Sequence, residues 1–168
     1  MNKNQTIEKL KGMRLGAMAE LHRHNLQNNL YNDTTPDEYL GLLVDHEWEE
    51  RQNNKIQRLI KQACFRQKAT IADIDFTTNR NLDKNMFNRL TTLDFISKKE
   101  NLVITGASGV GKSYLAQALG QQACALGIKT QYFITARLFS RLKLAKVDGT
   151  YSKELVKLMK NELIILDD

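Results

Sequence analysis

Proline is almost missing from this chain of 168 residues: Pro36 is its one example, and only two cysteines, Cys64 and Cys124, accompany it. The first scarcity excludes a proline-rich linker or recognition tract. The second excludes a disulfide scaffold, and the isolated positions lack metal-ligand spacing, so both cysteines read as reduced packing or surface residues. Aromatic residues make up 7% of the chain. No apolar run approaches the roughly 18 residues of a membrane-spanning helix. The polar opening Met1-Asn-Lys-Asn-Gln5 is not that of a secretory signal. These absences predict a cytoplasmic protein without a membrane partner. His22, His24 and His46 form no ligand pair flanking an acid, which favours structural or surface roles. Internal repeats and low-complexity tracts are also lacking.

What is present is an ordinary globular composition, 42% apolar and 26% charged, with a net charge of +6. The excess of base is uneven. Residues 1–100 carry 16 Lys/Arg against 14 Asp/Glu, and residues 101–168 carry 9 against 5. Arg137, Arg141, Lys143, Lys146, Lys153, Lys157 and Lys160 supply most of the second surplus. Two readings compete: a solvated helical face, or a track for nucleic-acid phosphates.

Helical periodicity dominates residues 1–66. Leu10, Leu15, Met18 and Leu21 define a first segment that Gly12 and Gly16 weaken and divide. The polar stretch Asn28–Asp33 reads as a loop. Thr35-Pro36-Asp37-Glu38 then has the form of a helix start: hydroxyl cap, proline in the first turn, acids at the positive end of the dipole. Leu40, Leu43, Val44 and Trp48 continue into Ile56, Leu59, Ile60 and Ala63 as one face, with Trp48 expected as a core anchor. The polar interval 49–55 predicts a bend or a protruding segment. Residues 70–81 read as a turn-rich connector, and 82–99 as a helix or a helix pair.

From 101 onward, strand and helix alternate. Asn101–Thr105 is a short apolar run expected as a buried strand. Lys112–Leu126 suits a helix stopped by Gly127, and Lys129–Ile134 suits a strand. Thr135 is expected to cap a helix that Asp148-Gly149 ends, followed by a short helix over Tyr151–Lys160 and a strand over Leu163–Leu166. This order predicts an α/β fold: a helical N-terminal module, then a parallel sheet flanked by helices. The expected division is 1–76 as a helical module, 77–100 as a connector and helix, and 101–168 as the part where strand and helix alternate.

The chemistry concentrates at Gly106-Ala107-Ser108-Gly109-Val110-Gly111-Lys112-Ser113, a complete Walker A loop followed by Tyr114. Its glycines let the loop turn with N–H groups inward around phosphate oxygens. Lys112 adds a cation for the β- and γ-phosphates, Ser113 offers a hydroxyl to Mg²⁺, and the following helix points its positive end at the same place. Downstream, Leu163-Ile-Ile-Leu166 ends in Asp167 and Asp168, the form of a Walker B strand. Asp167 is the candidate Mg²⁺ ligand, and Asp168 with Lys112 is the candidate catalytic pair.

With these two motifs, the helical first 90 or so residues, and Tyr132-Phe-Ile-Thr-Ala136 before a basic helix, the chain resembles the IstB-like ATPases. These are AAA+ helper proteins of insertion-sequence transposition, related to replicative helicase loaders of the DnaC type. The segment Leu10–Ala19 is similar to the family's opening, with Gly16 where proline is frequent. The resemblance implies an ATP- and Mg²⁺-dependent protein that forms homo-oligomers on DNA and recruits the transposase of the same element, with 1–76 as the module that docks a partner or DNA and 101–168 as the N-terminal part of an AAA+ ATPase domain. It also implies DNA contacts from Arg137, Arg141, Lys143, Lys146 and Lys153. Asp168 stands where many AAA+ proteins carry glutamate, and its shorter reach suits slow hydrolysis. Family members continue past Walker B through a sensor strand, an arginine finger and a lid. The resemblance therefore implies a fragment of a longer protein or a decayed copy, with a gap in its sheet, marginal stability and weak or absent ATPase. Two further readings stay open: a helicase loader with a helicase as partner, and a non-catalytic nucleotide- or DNA-binding fragment. A small-molecule P-loop kinase fits less well, because such enzymes usually begin near their phosphate loop.

Overall fold

The computed structural model describes residues 3–30, 34–77 and 82–168. Within them the element order is α1 (Lys3–Gly12), α2 (Gly16–Asn28), α3 (Pro36–Ala63), α4 (Lys84–Leu90), α5 (Asp94–Ser97), α6 (Lys112–Ala125), β1 (Thr130–Ile134), α7 (Thr135–Val147), α8 (Tyr151–Met159) and β2 (Leu163–Asp167). The loop expected at 28–33 and the connector at 70–81 fall partly on 31–33 and 78–81, outside the described residues. The chain divides into two compact units, Met1–Lys55 and Ile56–Asp168.

In the first unit, the two glycines do separate α1 from α2. Between them Arg14 takes a left-handed conformation at φ 62°, and the N–H groups of Met13, Arg14 and Leu15 close on the carbonyls of Lys9, Lys11 and Leu10. Leu15 occupies the N-cap position of α2, and no local side chain caps that end. The cap comes from α3 instead. Glu47 is buried and accepts the Met18 N–H at 3.0 Å. Arg51 donates to the other carboxylate oxygen at 2.8 Å and to the Arg14 carbonyl at 2.8 Å. Burial pushes the Glu47 carboxyl up, but the Met18 N–H and Arg51 outweigh it and hold the group below its ordinary value.

This arrangement corrects the expected face of α3. Leu43 is buried, but Leu40, Val44 and Trp48 are exposed, Trp48 by 62%. The inward row runs through Leu43 and Glu47, because a carboxylate on that row is what α2 requires. The start of α3 is the expected one: Glu38 accepts the Thr35 N–H at 2.9 Å and the Thr35 hydroxyl at 2.7 Å, while Thr35 Oγ accepts the Glu38 N–H at 3.3 Å. The polar interval 49–55 does not break the helix, which runs unbroken for 28 residues.

The second unit is built around α6. Leu115, Ala118, Leu119 and Ala123 of this helix join Ala69, Ile74, Phe87 and Leu93 in one apolar cluster, and Leu59, Ala63 and Cys124 form another. Gly120 is a close-approach position: a Cβ there would lie 2.6 Å from Ile165 Cδ1 and 2.7 Å from Phe65 Cε1. Residues 82–99 form the helix pair α4 and α5. Asp83 caps α4 by accepting the N–H groups of Asn85 and Met86 at 2.7 and 3.3 Å.

The sheet is two-stranded and parallel, with β1 beside β2 in the register Thr130↔Leu163 to Ile134↔Asp167. α7 supplies the crossover from β1, and α8 precedes β2. The strand expected at 101–105 is not formed. That segment is irregular and packs Leu102 and Ile104 against the α6 cluster while Val103 is 78% exposed. It lacks a ladder because no strand among the described residues lies against it. A cleft of about 650 Å³ separates it from the free edge of β2, and Leu102, Ile104, Leu119, Ile164 and Leu166 contribute to its lining.

Candidate functional site

The loop 106–111 joins the 101–105 segment to α6. Gly106, Gly109 and Gly111 have φ of 151°, 80° and 92°, a region that other residues enter only with strain. Gly111 is the N-cap of α6, and no side chain caps it. The first amides of the helix therefore face the mouth of the loop, where the helix dipole favours an anion. Ala107, Ser108 and Gly109 are exposed, and Val110 through Tyr114 are half-buried. Lys112 folds back over its own loop and donates to the carbonyls of Gly106 at 3.0 Å and Ala107 at 2.7 Å. This fixes the ammonium at the mouth of the cleft that Asp167 and Asp168 also line.

Ser113 sits one residue into α6, and its hydroxyl donates to Asp167 Oδ1 at 2.7 Å. The parallel register sets this contact, since β2 ends at Asp167 beside Ile134 and delivers the carboxylate to the first turn of α6. Two contacts fix that carboxylate from behind. The buried Tyr132 phenol donates to Asp167 Oδ2 at 2.5 Å, and Thr135 Oγ1 donates to the Asp167 main-chain oxygen at 2.9 Å. Burial first, and the neighbouring carboxylate second, push the Tyr132 hydroxyl up to about 12, so it remains a neutral donor at physiological pH. Thr135 is thus the first residue of α7 rather than its cap, and its hydroxyl ties α7 to the end of β2.

Two polar links join α6 to the segment after α3. Gln117, fully buried, accepts the N–H groups of Arg66 and Gln67 at 2.8 and 3.1 Å and donates to the Ser113 carbonyl at 3.1 Å. Tyr114 accepts the Thr70 N–H at 3.3 Å through its phenol oxygen.

Lys112, Asp167 and Asp168 thus line one cleft, with Ser113 bonded to Asp167, while the basic candidates lie elsewhere. Arg137, Arg141, Lys143 and Lys146 are exposed on α7, and Lys153 on α8. Arg141 pairs with Glu154 of α8, which Lys157 also contacts at 2.6 Å. The Arg141 guanidinium lies 5.9 Å from the Phe133 ring centroid, and the Lys146 ammonium 5.1 Å from that of Tyr151. Part of the basic run therefore fastens α7 to α8 and β1. Sequence reading missed Tyr132, Thr135 and Gln117 as parts of the site. The two-residue spacing of Tyr132 and Ile134 along a strand was readable, but the register that places them beside Ile165 and Asp167 was not.

No helix among the described residues is long and apolar enough to cross a membrane. The profile of the family described as IstB-like ATP binding protein matches residues 8–168. A protein of Pseudomonas fluorescens, named as an ATP-binding protein of insertion sequence IS1162, is 37% identical over the whole of this chain and 73% of its own length. An insertion-sequence ATP-binding protein of Sinorhizobium fredii is 38% identical over 97% of this chain and 66% of its own. One of insertion sequence IS5376 from Geobacillus stearothermophilus is 37% identical over 92% of this chain, which spans 59% of that relative. Matched along nearly all of its length, the chain belongs to the IstB-like ATP-binding proteins of insertion sequences.

Proposed function

We propose that the second unit binds ATP with Mg²⁺ and that ATP binding controls assembly on DNA during transposition of an insertion sequence. The observation that carries this reading is the 2.7 Å contact between Ser113 and Asp167, which brings the phosphate loop and the strand-end acid together. The N–H groups of 106–113 cradle the phosphates, and Lys112 exchanges its loop carbonyls for phosphate oxygens. Ser113 and Asp167 fit Mg²⁺, because the ion takes hard oxygen ligands and is held by a few protein groups together with the nucleotide phosphates. When bound, it neutralises charge on the β- and γ-phosphates. Asp168 orients the attacking water in the assembled protein.

The insertion-sequence names of the relatives support a transposition setting, with the transposase and further copies of the chain as partners. The exposed cations of α7 and α8 support phosphate contacts with DNA. Since Arg141 is held by Glu154, Arg137, Lys143 and Lys153 are the stronger candidates. The test is fluorescence anisotropy on duplex DNA with and without Mg²⁺-ATP. Lys112→Ala should weaken ATP binding by about 10- to 100-fold, as loss of a charged hydrogen-bonding partner does, and remove any ATP effect on DNA affinity. Arg137, Lys143 and Lys153 changed together to Ala should leave ATP binding intact and flatten the dependence of DNA affinity on salt. ATP binding unchanged in Lys112→Ala would overturn the nucleotide site, and an unchanged salt slope would overturn the DNA face.

A further inference from the structure

Asp167 has two carboxylate oxygens, and the fold treats them differently. Oδ1 faces Ser113 of the phosphate-loop helix. Oδ2 takes the hydroxyl hydrogen of Tyr132, a residue of β1 that is 5% exposed. The main chain of the same residue is fixed by the Thr135 hydroxyl, so the carboxylate has little freedom to turn away. Tyr132 is itself fixed by the ladder, lying beside Ile165 of β2, two residues before Asp167 on the same strand. A carboxylate held at one oxygen by a buried donor presents the other in a single orientation.

We propose that Tyr132 is a positioning residue for the divalent cation site: by holding Asp167 Oδ2, it aims Oδ1 at the ion that accompanies the nucleotide phosphates. This rests on the reading of Ser113 and Asp167 as Mg²⁺ ligands. Tyr132 touches neither nucleotide nor ion, since its hydroxyl is spent on Oδ2. Its removal therefore acts on the metal step and leaves phosphate binding alone. Phenylalanine at this position keeps the ring in its place and leaves Oδ2 without its partner.

The test measures a fluorescent ATP analogue binding to the full chain, first in EDTA and then across a Mg²⁺ titration. Tyr132→Phe should match the wild type in EDTA and need roughly 10-fold more Mg²⁺ for the same gain in affinity, the scale of losing a group that orients a metal ligand. Superimposed Mg²⁺ titrations would overturn the proposal, as would an equal loss with and without the ion, which marks a structural role. Asp167→Asn separates this from failure of the underlying reading. If that variant responds to Mg²⁺ as the wild type does, Asp167 is no ligand and both ideas fall. If it loses the response while Tyr132→Phe keeps it, only the positioning role falls. Should Tyr132→Phe not fold, wild-type protein labelled with ¹³C at the tyrosine ζ-carbon keeps the question open to measurement. Adding Mg²⁺ to the nucleotide-loaded chain should shift one of its five tyrosine signals, and no shift would overturn the proposal.

Discussion

Helices α2 and α6 begin in the same way and are completed differently. Both start without a side-chain cap from their own N-cap residue, Leu15 in one and Gly111 in the other. In the first unit the protein supplies the missing anion, since the buried carboxylate of Glu47 sits on the amide of Met18. In the second unit a glycine loop precedes α6, and the nearby acid, Asp167, accepts the Ser113 hydroxyl. The same attraction of a helix N-terminus for negative charge is met by a buried carboxylate in one place and by no side-chain cap from the N-cap residue in the other. That contrast separates a helix end closed by a distant carboxylate from one that follows a glycine loop.

The largest effect should come from opening the apolar core of either unit. Leu119 is 2% exposed within the α6 cluster, and Leu43 is 7% exposed in the first unit. Truncating either to alanine should cost about 2–5 kcal/mol in the unit that contains it. Leu119→Ala should abolish binding of a fluorescent ATP analogue, whereas Leu43→Ala should lower the urea midpoint seen by circular dichroism and leave ATP binding in place. Loss of ATP binding in Leu43→Ala would break the comparison.

How far the sequence reveals this contrast depends on which contacts are local. The capping box of Thr35 and Glu38, the glycine breaks at 12 and 16, the helix stop at Gly127 and the glycine turn at 106–111 all act within a few residues, and each is readable from its own segment. The meeting of Ser113 with Asp167 is suggested by motif, although 54 positions separate them. The service of Glu47 to α2 is long-range and leaves no local mark, because an acid in a helical stretch looks solvated. For the same reason Trp48 reads as a core residue: hydrophobicity at helical spacing marks a face but not which side of it turns inward. The apolar run 101–105 also reads as a strand, yet a ladder needs a neighbour, and none lies against it among the described residues.

A smaller effect is expected at the internal cap itself. Glu47→Ala removes the partner of the Met18 N–H and of Arg51 and should cost about 1–2 kcal/mol, as loss of an N-cap does. The carboxyl is held below its ordinary value of 4.5, so its contribution is present above that value and is lost as pH falls through the lowered one. Wild type and Glu47→Ala should therefore differ in unfolding free energy at neutral pH and converge in acid. A difference that grows on acidification would remove Glu47 as the cap of α2.

The smallest effect should be at Trp48, the one tryptophan of the chain. A buried anchor of that size would cost about 3–5 kcal/mol on truncation to alanine. With 62% of its surface exposed, the change should instead stay within about 0.5 kcal/mol. The same exposure gives an optical test in the unmutated protein: emission should lie close to that of tryptophan in water, and iodide should quench it readily. A blue-shifted, protected emission would mean that Trp48 is covered, and the inward row of α3 would then have to run through it rather than through Leu43 and Glu47.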